Sequence, residues 1–195
     1  PSFVTKPDLY LEGNYNSFLV LDFEPTYDPY DPSAVQTKNE IVLACWTIVD
    51  AEGNRTKKHT FGDSLHQQEL LDDIAKVDFV VAHNIKFEAG YLRLAGLDLR
   101  TVAMYCTQLG EWVLNGNLKV PLNLNSTAQR YKLGTKTDYV SNLIKMGVCC
   151  STIPQAWLLE YCERDVELCL EIFLKQRTRL ANTNRLHIAH TRNLA

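Results

Sequence analysis

"NSFLVLDFEP", residues 16–25, is the stretch on which the fold turns. Side chains alternate across a strand, so Leu19, Leu21 and Phe23 take one face while Val20, Asp22 and Glu24 take the other. The run is apolar enough to sit inside a sheet, yet it ends in two carboxylates two residues apart. No Lys or Arg lies within ten residues on either side of the pair. Withdrawing ionised, unpaired carboxylates from water costs roughly several kcal/mol each. A cation must therefore reach Asp22 and Glu24 from elsewhere, either a distant basic side chain or a metal.

The whole chain sets the frame for that pair. Its 195 residues suit one domain with a sizeable core, and 46% hydrophobic with 22% charged residues is ordinary for a globular protein. A net charge of −3 excludes a protein that holds nucleic acid mainly by bulk positive charge, but not an enzyme that grips a few nucleotides through metals. The six cysteines, Cys45, Cys106, Cys149, Cys150, Cys162 and Cys169, show no CxxC spacing and no paired His, so a zinc site is not expected. Reduced core thiols are the default for them. No signal peptide is read, and no apolar run approaches the ~20 residues of a membrane span. A soluble, cytoplasmic protein without membrane partners is expected. Residues 1–180 read as one domain, and 181–195 as a tail or a truncated link to a following domain.

Outward from the first strand (17–24), a loop rich in Pro, Asp and Tyr leads to "EIVLACWTIVD" (40–50), a second strand. A turn at 50–54 and a weakly alternating third strand (55–62) complete a meander, expected to be antiparallel. Ser64 can cap a helix running to about Val77 on the stripe Leu65, Leu70, Leu71 and Ile74. "DFVVAHN" (78–84) is a short buried strand, and 86–96 returns to helical spacing with Gly96 as its stop. A short strand and a helix fill 101–117. Two short helices follow, each ended by Gly, and one long helix runs from Pro154 to about Leu180. This order is an α/β fold with three leading strands and a helical second half.

Two further acidic clusters follow the first. His83 and Asn84 close the buried strand, and Glu88 falls in the first turn of the next helix, where an acid also has a plain explanation in the helix dipole. In "WLLEYCERDVELCLEIF" (157–173), Tyr161 and Asp165 are four apart and share a face with Trp157 or Leu158, Leu168, Cys169 and Ile172. A buried Tyr–Asp hydrogen bond would account for them alone. Glu160, Glu163, Glu167 and Glu171 read as the solvated face.

Asp-x-Glu on the first strand, Asn-x-x-Phe-Glu after a central strand and Tyr-x-x-x-Asp on the last long helix occur in that order. The set resembles the DnaQ-like (DEDD) 3′→5′ exonucleases, in the Tyr-containing subgroup, and within it the proofreading domains of family A (DNA polymerase I-type) polymerases of bacteriophages. The resemblance covers roughly residues 15–180. It implies a ribonuclease H-like fold, a mixed central sheet with three antiparallel leading strands flanked by helices. It implies an exonuclease domain at 1–180 that releases nucleoside 5′-monophosphates from DNA. It also implies two divalent cations, Mg²⁺ or Mn²⁺, clamping the scissile phosphate. By that likeness Asp22, Glu24 and Asp165 hold one metal, Asp22 bridges to the second, Glu88 holds or orients the second, and Tyr161 positions the attacking water. A phenol is too weakly acidic to serve as a simple base near neutrality. Asn84 and Phe87 match the second motif and are candidates for substrate contact.

Two positions depart from the family's pattern. Glu88 stands where Asp is common, one methylene longer, and bears on the second metal. Pro25 stands where Thr is common, and it offers no N–H to the terminal nucleotide. Weaker or differently arranged 3′-end binding is expected at Pro25. Tyr27 and Tyr30 in the loop after the first strand, and Lys132 and Lys136, are further candidates for contact with bases and phosphates. Trp46 and Trp112 are expected in the core. The expected partners are the 3′ end of single-stranded DNA and a DNA polymerase domain or subunit. The alternatives are an RNA 3′ exonuclease and a catalytically weak nucleic-acid-binding domain of the same fold.

Overall fold

The computed structural model describes residues 17–26, 39–62, 68–116, 118–134 and 138–182. Ser64, Tyr27, Tyr30, Lys136 and residues 183–195 lie outside them, as do the readings placed on them.

Strand β1 (Phe18–Pro25) is central because both of its faces are apolar. It pairs antiparallel with β2 (Ile41–Val49), from Phe18↔Val49 to Glu24↔Leu43. β2 in turn pairs antiparallel with β3 (Arg55–Phe61). On its other side β1 runs parallel to β4 (Phe79–Ala82), and β4 runs parallel to β5 (Ala103–Cys106). The order is β3-β2-β1-β4-β5, a mixed sheet with the expected antiparallel meander. The outer strand β3, "RTKKHTF", carries the charge that suits an edge.

Alternation along β1 sorts the core into two layers. Leu19, Leu21 and Phe23 pack with Trp46, Val80 and Ala82 against Leu70 and Ile74 of α1 (Gln68–Lys76) and Tyr91 and Leu92 of α2 (Lys86–Leu94). Phe18 and Val20 face the opposite layer. It is built from α3 (Thr107–Leu114), α4 (Leu124–Arg130), α5 (Asp138–Lys145) and the long α6 (Gln155–Asn182). Trp46 is fully buried and Trp112 packs half-buried against the second layer.

The helix ends show where local pattern decides and where it does not. α2 ends as expected: Gly96 has φ 93°, and Leu97 N–H reaches back to the Leu92 carbonyl at 3.0 Å. After α4 Lys132, φ 57°, takes the left-handed conformation before the expected Gly134, φ 85°, and Leu133 N–H bonds the Ala128 carbonyl at 3.0 Å. The long helix begins one residue later than expected, because the Pro154 carbonyl accepts from Leu158 N–H at 3.1 Å and so caps it.

A buried polar knot fixes α6 against α3, α4 and β5. The Gln176 amide donates to Glu111 Oε2 at 3.1 Å and to the Thr107 carbonyl at 2.9 Å, while Tyr105 Oη donates to Gln176 Oε1 at 3.1 Å. Arg130 Nε completes it with a 2.9 Å bond to Glu111 Oε1. Burial, the largest influence, raises the Glu111 carboxyl, but its donors outweigh it and hold the group below its usual range. Glu171, expected on a solvated face, is half-buried and pairs with Arg55 of β3 at 2.9 Å.

Candidate active site

The sheet opens where β1 outruns β4. Their last paired residues are Val20 and Val81, so Asp22 and Glu24 stand beyond the neighbouring strand. This is also where the sheet changes from antiparallel to parallel, the place where open α/β sheets form a crevice. A bulge follows: Glu24 pairs with Leu43 but Pro25 with Ile41. Pro25 therefore occupies an irregularity of the ladder, where its missing N–H leaves no rung broken. Thr26 N–H resumes pairing with the Glu40 carbonyl at 2.8 Å.

Asp22 and Glu24 share the face of Val20 and look toward α6. Asp22, Glu24 and Cys162 of α6 have their nearest side-chain ligand atoms all within 4.8 Å of one another. The Cys162 thiol donates to the Asp22 carbonyl at 3.6 Å and to Asp22 Oδ2 at 3.8 Å, and the Cys150 thiol donates to Glu24 Oε2 at 3.8 Å. Burial first, then contact with Cys45, then the charges of Asp22 and Glu24 push the Cys162 thiol well up. Cys162 thus sits beside the two carboxylates as a weak thiol donor. Burial, followed by the Glu24 charge, pushes the Cys150 thiol up to about 12.

Glu88 is not a solvated acid at a helix end. It lies on the inward stripe of α2 with Tyr91 and Leu92 and is only 2% exposed. Its Oε2 has no hydrogen-bond partner. Burial is the main cause, and the charge of Asp22 the second, of a carboxyl held well above its usual range. Glu88 from one face thus meets Asp22 from the central strand across the open end of β4.

The third cluster comes from α6. Tyr161 and Asp165 are 7% and 4% exposed, one turn apart on the helix that packs across β1 and β2. Asp165 follows Cys162 by three residues and so shares the side of the helix that touches Asp22. Asn84 is exposed, with φ 62°, and its carbonyl accepts from Phe87 N–H at 3.0 Å. Phe87 is half-buried and meets Tyr91 edge-on at 5.2 Å, which joins it to the core of α2. His83 locks the turn, with Nδ1 at 2.8 Å from Thr107 Oγ1 and Nε2 at 2.8 Å from the Leu122 carbonyl. Lys132 is exposed at the end of α4.

These residues suit hard divalent cations. The carboxylates of Asp22 and Glu24 meet with the Cys162 thiol beside them, the buried Glu88 Oε2 lacks a hydrogen bond, and burial first, then the charge of Asp22, raises the Glu88 carboxyl. Sequence reasoning missed the thiols of Cys150 and Cys162, which donate to Glu24 and Asp22, because those contacts join segments far apart in the sequence.

Comparison with known proteins places this geometry in a wider setting. No protein-family profile matches the chain. Over 125 residues, 58% of the chain, it is 27% identical to the DNA polymerase DpoZ of Salmonella phage PMBT28. That match spans 20% of the polymerase's length. Among solved structures it is similar to the POL domain of Pol1 from M. smegmatis in complex with DNA primer-template and dNTP. There the TM-score is 0.57 at 16% identity, over 94% of this chain and 28% of that one. The family B DNA polymerase of the archaeon Pyrobaculum calidifontis gives 0.55 at 13% identity, over 82% of this chain and 24% of that one. Brucella melitensis NrnC gives 0.53 at 14% identity, over 91% of this chain and 80% of that one. The fold is ribonuclease H-like. In it Asp22 and Glu24 at the end of the central strand lie beside Cys162 of α6, and Glu88 of α2 is buried within reach of the Asp22 charge. Among the described residues no helix is long and apolar enough to cross a membrane.

Proposed function

We propose that the chain is a 3′→5′ exonuclease acting on DNA, in the manner of a polymerase's proofreading domain. Carrying this reading is the convergence of carboxylates from separate segments. Asp22 and Glu24 lie within 4.8 Å of each other, and Glu88 is buried against the charge of Asp22 with an oxygen left over. The likeness to part of a phage DNA polymerase supports DNA as the substrate.

Asp22, Glu24 and Asp165 would hold one divalent cation, and Asp22 and Glu88 a second. When bound, such cations favour ionisation of a water and stabilise the charge on the departing 3′ oxygen. The protein's own groups do the rest. Tyr161, on the turn before Asp165, orients the water. The thiols of Cys150 and Cys162 donate weak hydrogen bonds that hold Glu24 and Asp22 in their rotamers. The exposed turn at Asn84 lies beside Glu88 and offers its amide to the substrate strand. The products are nucleoside 5′-monophosphates, released singly.

The test is digestion of matched 5′-labelled single-stranded DNA and RNA with Mg²⁺, Mn²⁺ or EDTA, beside Asp22→Ala and Tyr161→Phe. The expected result is a metal-dependent ladder from the 3′ end, stronger on DNA, absent in Asp22→Ala and slowed about 100-fold or more in Tyr161→Phe. Stronger cutting of RNA would move the substrate to an RNA 3′ end, which the same carboxylates would serve. No cutting of either strand by folded wild type would refute the enzyme reading.

A further inference from the structure

Hard cations call for oxygen ligands at the end of β1, yet a sulfur stands among them. Asp22, Glu24 and Cys162 offer ligand atoms that all lie within 4.8 Å of one another. Cys162 is fully buried, and its Sγ is 3.8 Å from Asp22 Oδ2. Zinc bonds thiolate sulfur at about 2.3 Å and carboxylate oxygen at about 2.1 Å, so a tetrahedral ion holds two such atoms about 3.6 Å apart. The observed spacing meets that with almost no movement of strand or helix. The thiol of Cys150 also approaches Glu24, at 3.8 Å, but lies outside the group of three. A separate feature points to a cation at the same place. Glu88 Oε2, on α2 in the opposite layer, is buried without a hydrogen-bond partner and within reach of the Asp22 charge.

The donor set decides between cations. Mg²⁺ demands octahedral oxygen, whereas Zn²⁺ takes Cys and carboxylate ligands together in a tetrahedral shell. We propose that Asp22, Glu24 and Cys162 form a site for a thiophilic divalent cation, Zn²⁺ above all, with water as the fourth ligand. As the zinc–sulfur bond forms, the thiol proton leaves to solvent, because a coordinated thiol gives up its proton to the cation's field. No Cys or His spacing announces such a site, since its ligands come from distant parts of the chain. Zinc then occupies Asp22 and Glu24, so zinc and the hard cations exclude one another. That consequence, zinc as an inhibitor of cutting, rests on the exonuclease reading; the site itself does not.

The experiment uses the full chain, reduced and metal-free, with Co²⁺ as the spectroscopic stand-in for Zn²⁺. Wild type should show a sulfur-to-cobalt charge-transfer band in the near ultraviolet, removed by equimolar Zn²⁺. Cys162→Ser should lose the band and bind Zn²⁺ at least about tenfold more weakly, since loss of an outer-shell partner alone costs that much. Asp22→Ala should lose the band too, and Cys150→Ser should keep it. A band that survives Cys162→Ser, a band lost in Cys150→Ser, or cobalt bound without any sulfur band overturns the proposal. Where Cys162→Ser melts early in EDTA, X-ray absorption on zinc-loaded wild type decides. A single sulfur at about 2.3 Å among oxygen ligands supports the site, and no sulfur or several overturns it. In a digest driven by Mg²⁺, Zn²⁺ should arrest wild type, and about tenfold more should be needed for Cys162→Ser. Equal zinc sensitivity of the two proteins overturns the shared site. A sulfur band in a protein that cuts nothing removes the exonuclease reading and leaves the zinc site. Cutting by a protein that shows no sulfur band removes the zinc site alone.

Discussion

Asp22→Asn removes one charge from the carboxylate cluster while keeping the shape of the side chain. The nearest ligand atoms of Asp22 and Glu24 lie within 4.8 Å, and at an effective dielectric of about 20 two unit charges so placed repel by about 3.5 kcal/mol. Against that gain stands the weakened bond from the Cys162 thiol, 3.8 Å from Oδ2, worth about 1 kcal/mol. A net stabilisation of about 2.5 kcal/mol is expected in EDTA near neutral pH. At this chain length it corresponds to a rise in melting temperature of about 5–10 °C. Divalent metal should act unequally on the two proteins. At a hundredfold excess over its dissociation constant, Mg²⁺ or Mn²⁺ stabilises wild type by about 2.7 kcal/mol, or about 5–10 °C. The variant should gain little, so metal closes the gap in melting temperature that is seen in EDTA. Scanning calorimetry in both buffers reads both shifts. A variant that melts below wild type in EDTA and still rises with metal would show that Asp22 is a structural acid, and the metal-site argument would fail.

Two further outcomes test the scaffold. A Cβ on Gly110 would lie 2.6 Å from Gln176 Oε1 and press on the Tyr105 hydroxyl, so Gly110→Ala should cost about 1–3 kcal/mol in urea unfolding; an unchanged midpoint would show that the knot yields freely. Asp73 of α1 accepts from Lys58 at 2.7 Å, Lys76 at 3.1 Å and Trp46 Nε1 at 3.1 Å. Burial, its largest influence, raises the carboxyl, but the three donors together carry it below its usual value of 3.8. Its folded value lies below its unfolded one, so it lends stability above pH ~4 that is lost as pH falls through the folded value. Asp73→Asn should therefore lower stability at neutral pH by about 1–3 kcal/mol and flatten the acid limb of the unfolding curve. Parallel acid limbs in the two proteins would refute that assignment.

What could be read from the sequence and what could not divide along a physical line. The alternation of β1 is local, and it placed Leu19, Leu21 and Phe23 in one layer and Asp22 and Glu24 toward the other before any neighbour was known. The stripe on α6 is local too, and it turned Tyr161 and Asp165 inward, though it left Trp157 and Leu158 undecided. Leu158 is the buried one, packed in the second layer, while Trp157 stays half exposed beside Tyr139 of α5. Glu88 was the ambiguous member for a better reason. An acid in a first helical turn is stabilised by the dipole whether or not it is buried. Its burial depends on β4 pairing with β1 only as far as Val81, which is a matter of register between segments 60 residues apart in sequence. The same register explains the energetics of the site. It leaves Asp22, Glu24 and Glu88 crowded at an open sheet end, an arrangement that opposes folding when no cation is bound. The compensation lies farther along α6, where Gln176 is tied to Glu111, Thr107 and Tyr105 in a fully buried knot. Anchored there, the helix cannot drift from β1 to relieve the repulsion. A cation, by this argument, would meet carboxylates already held in place.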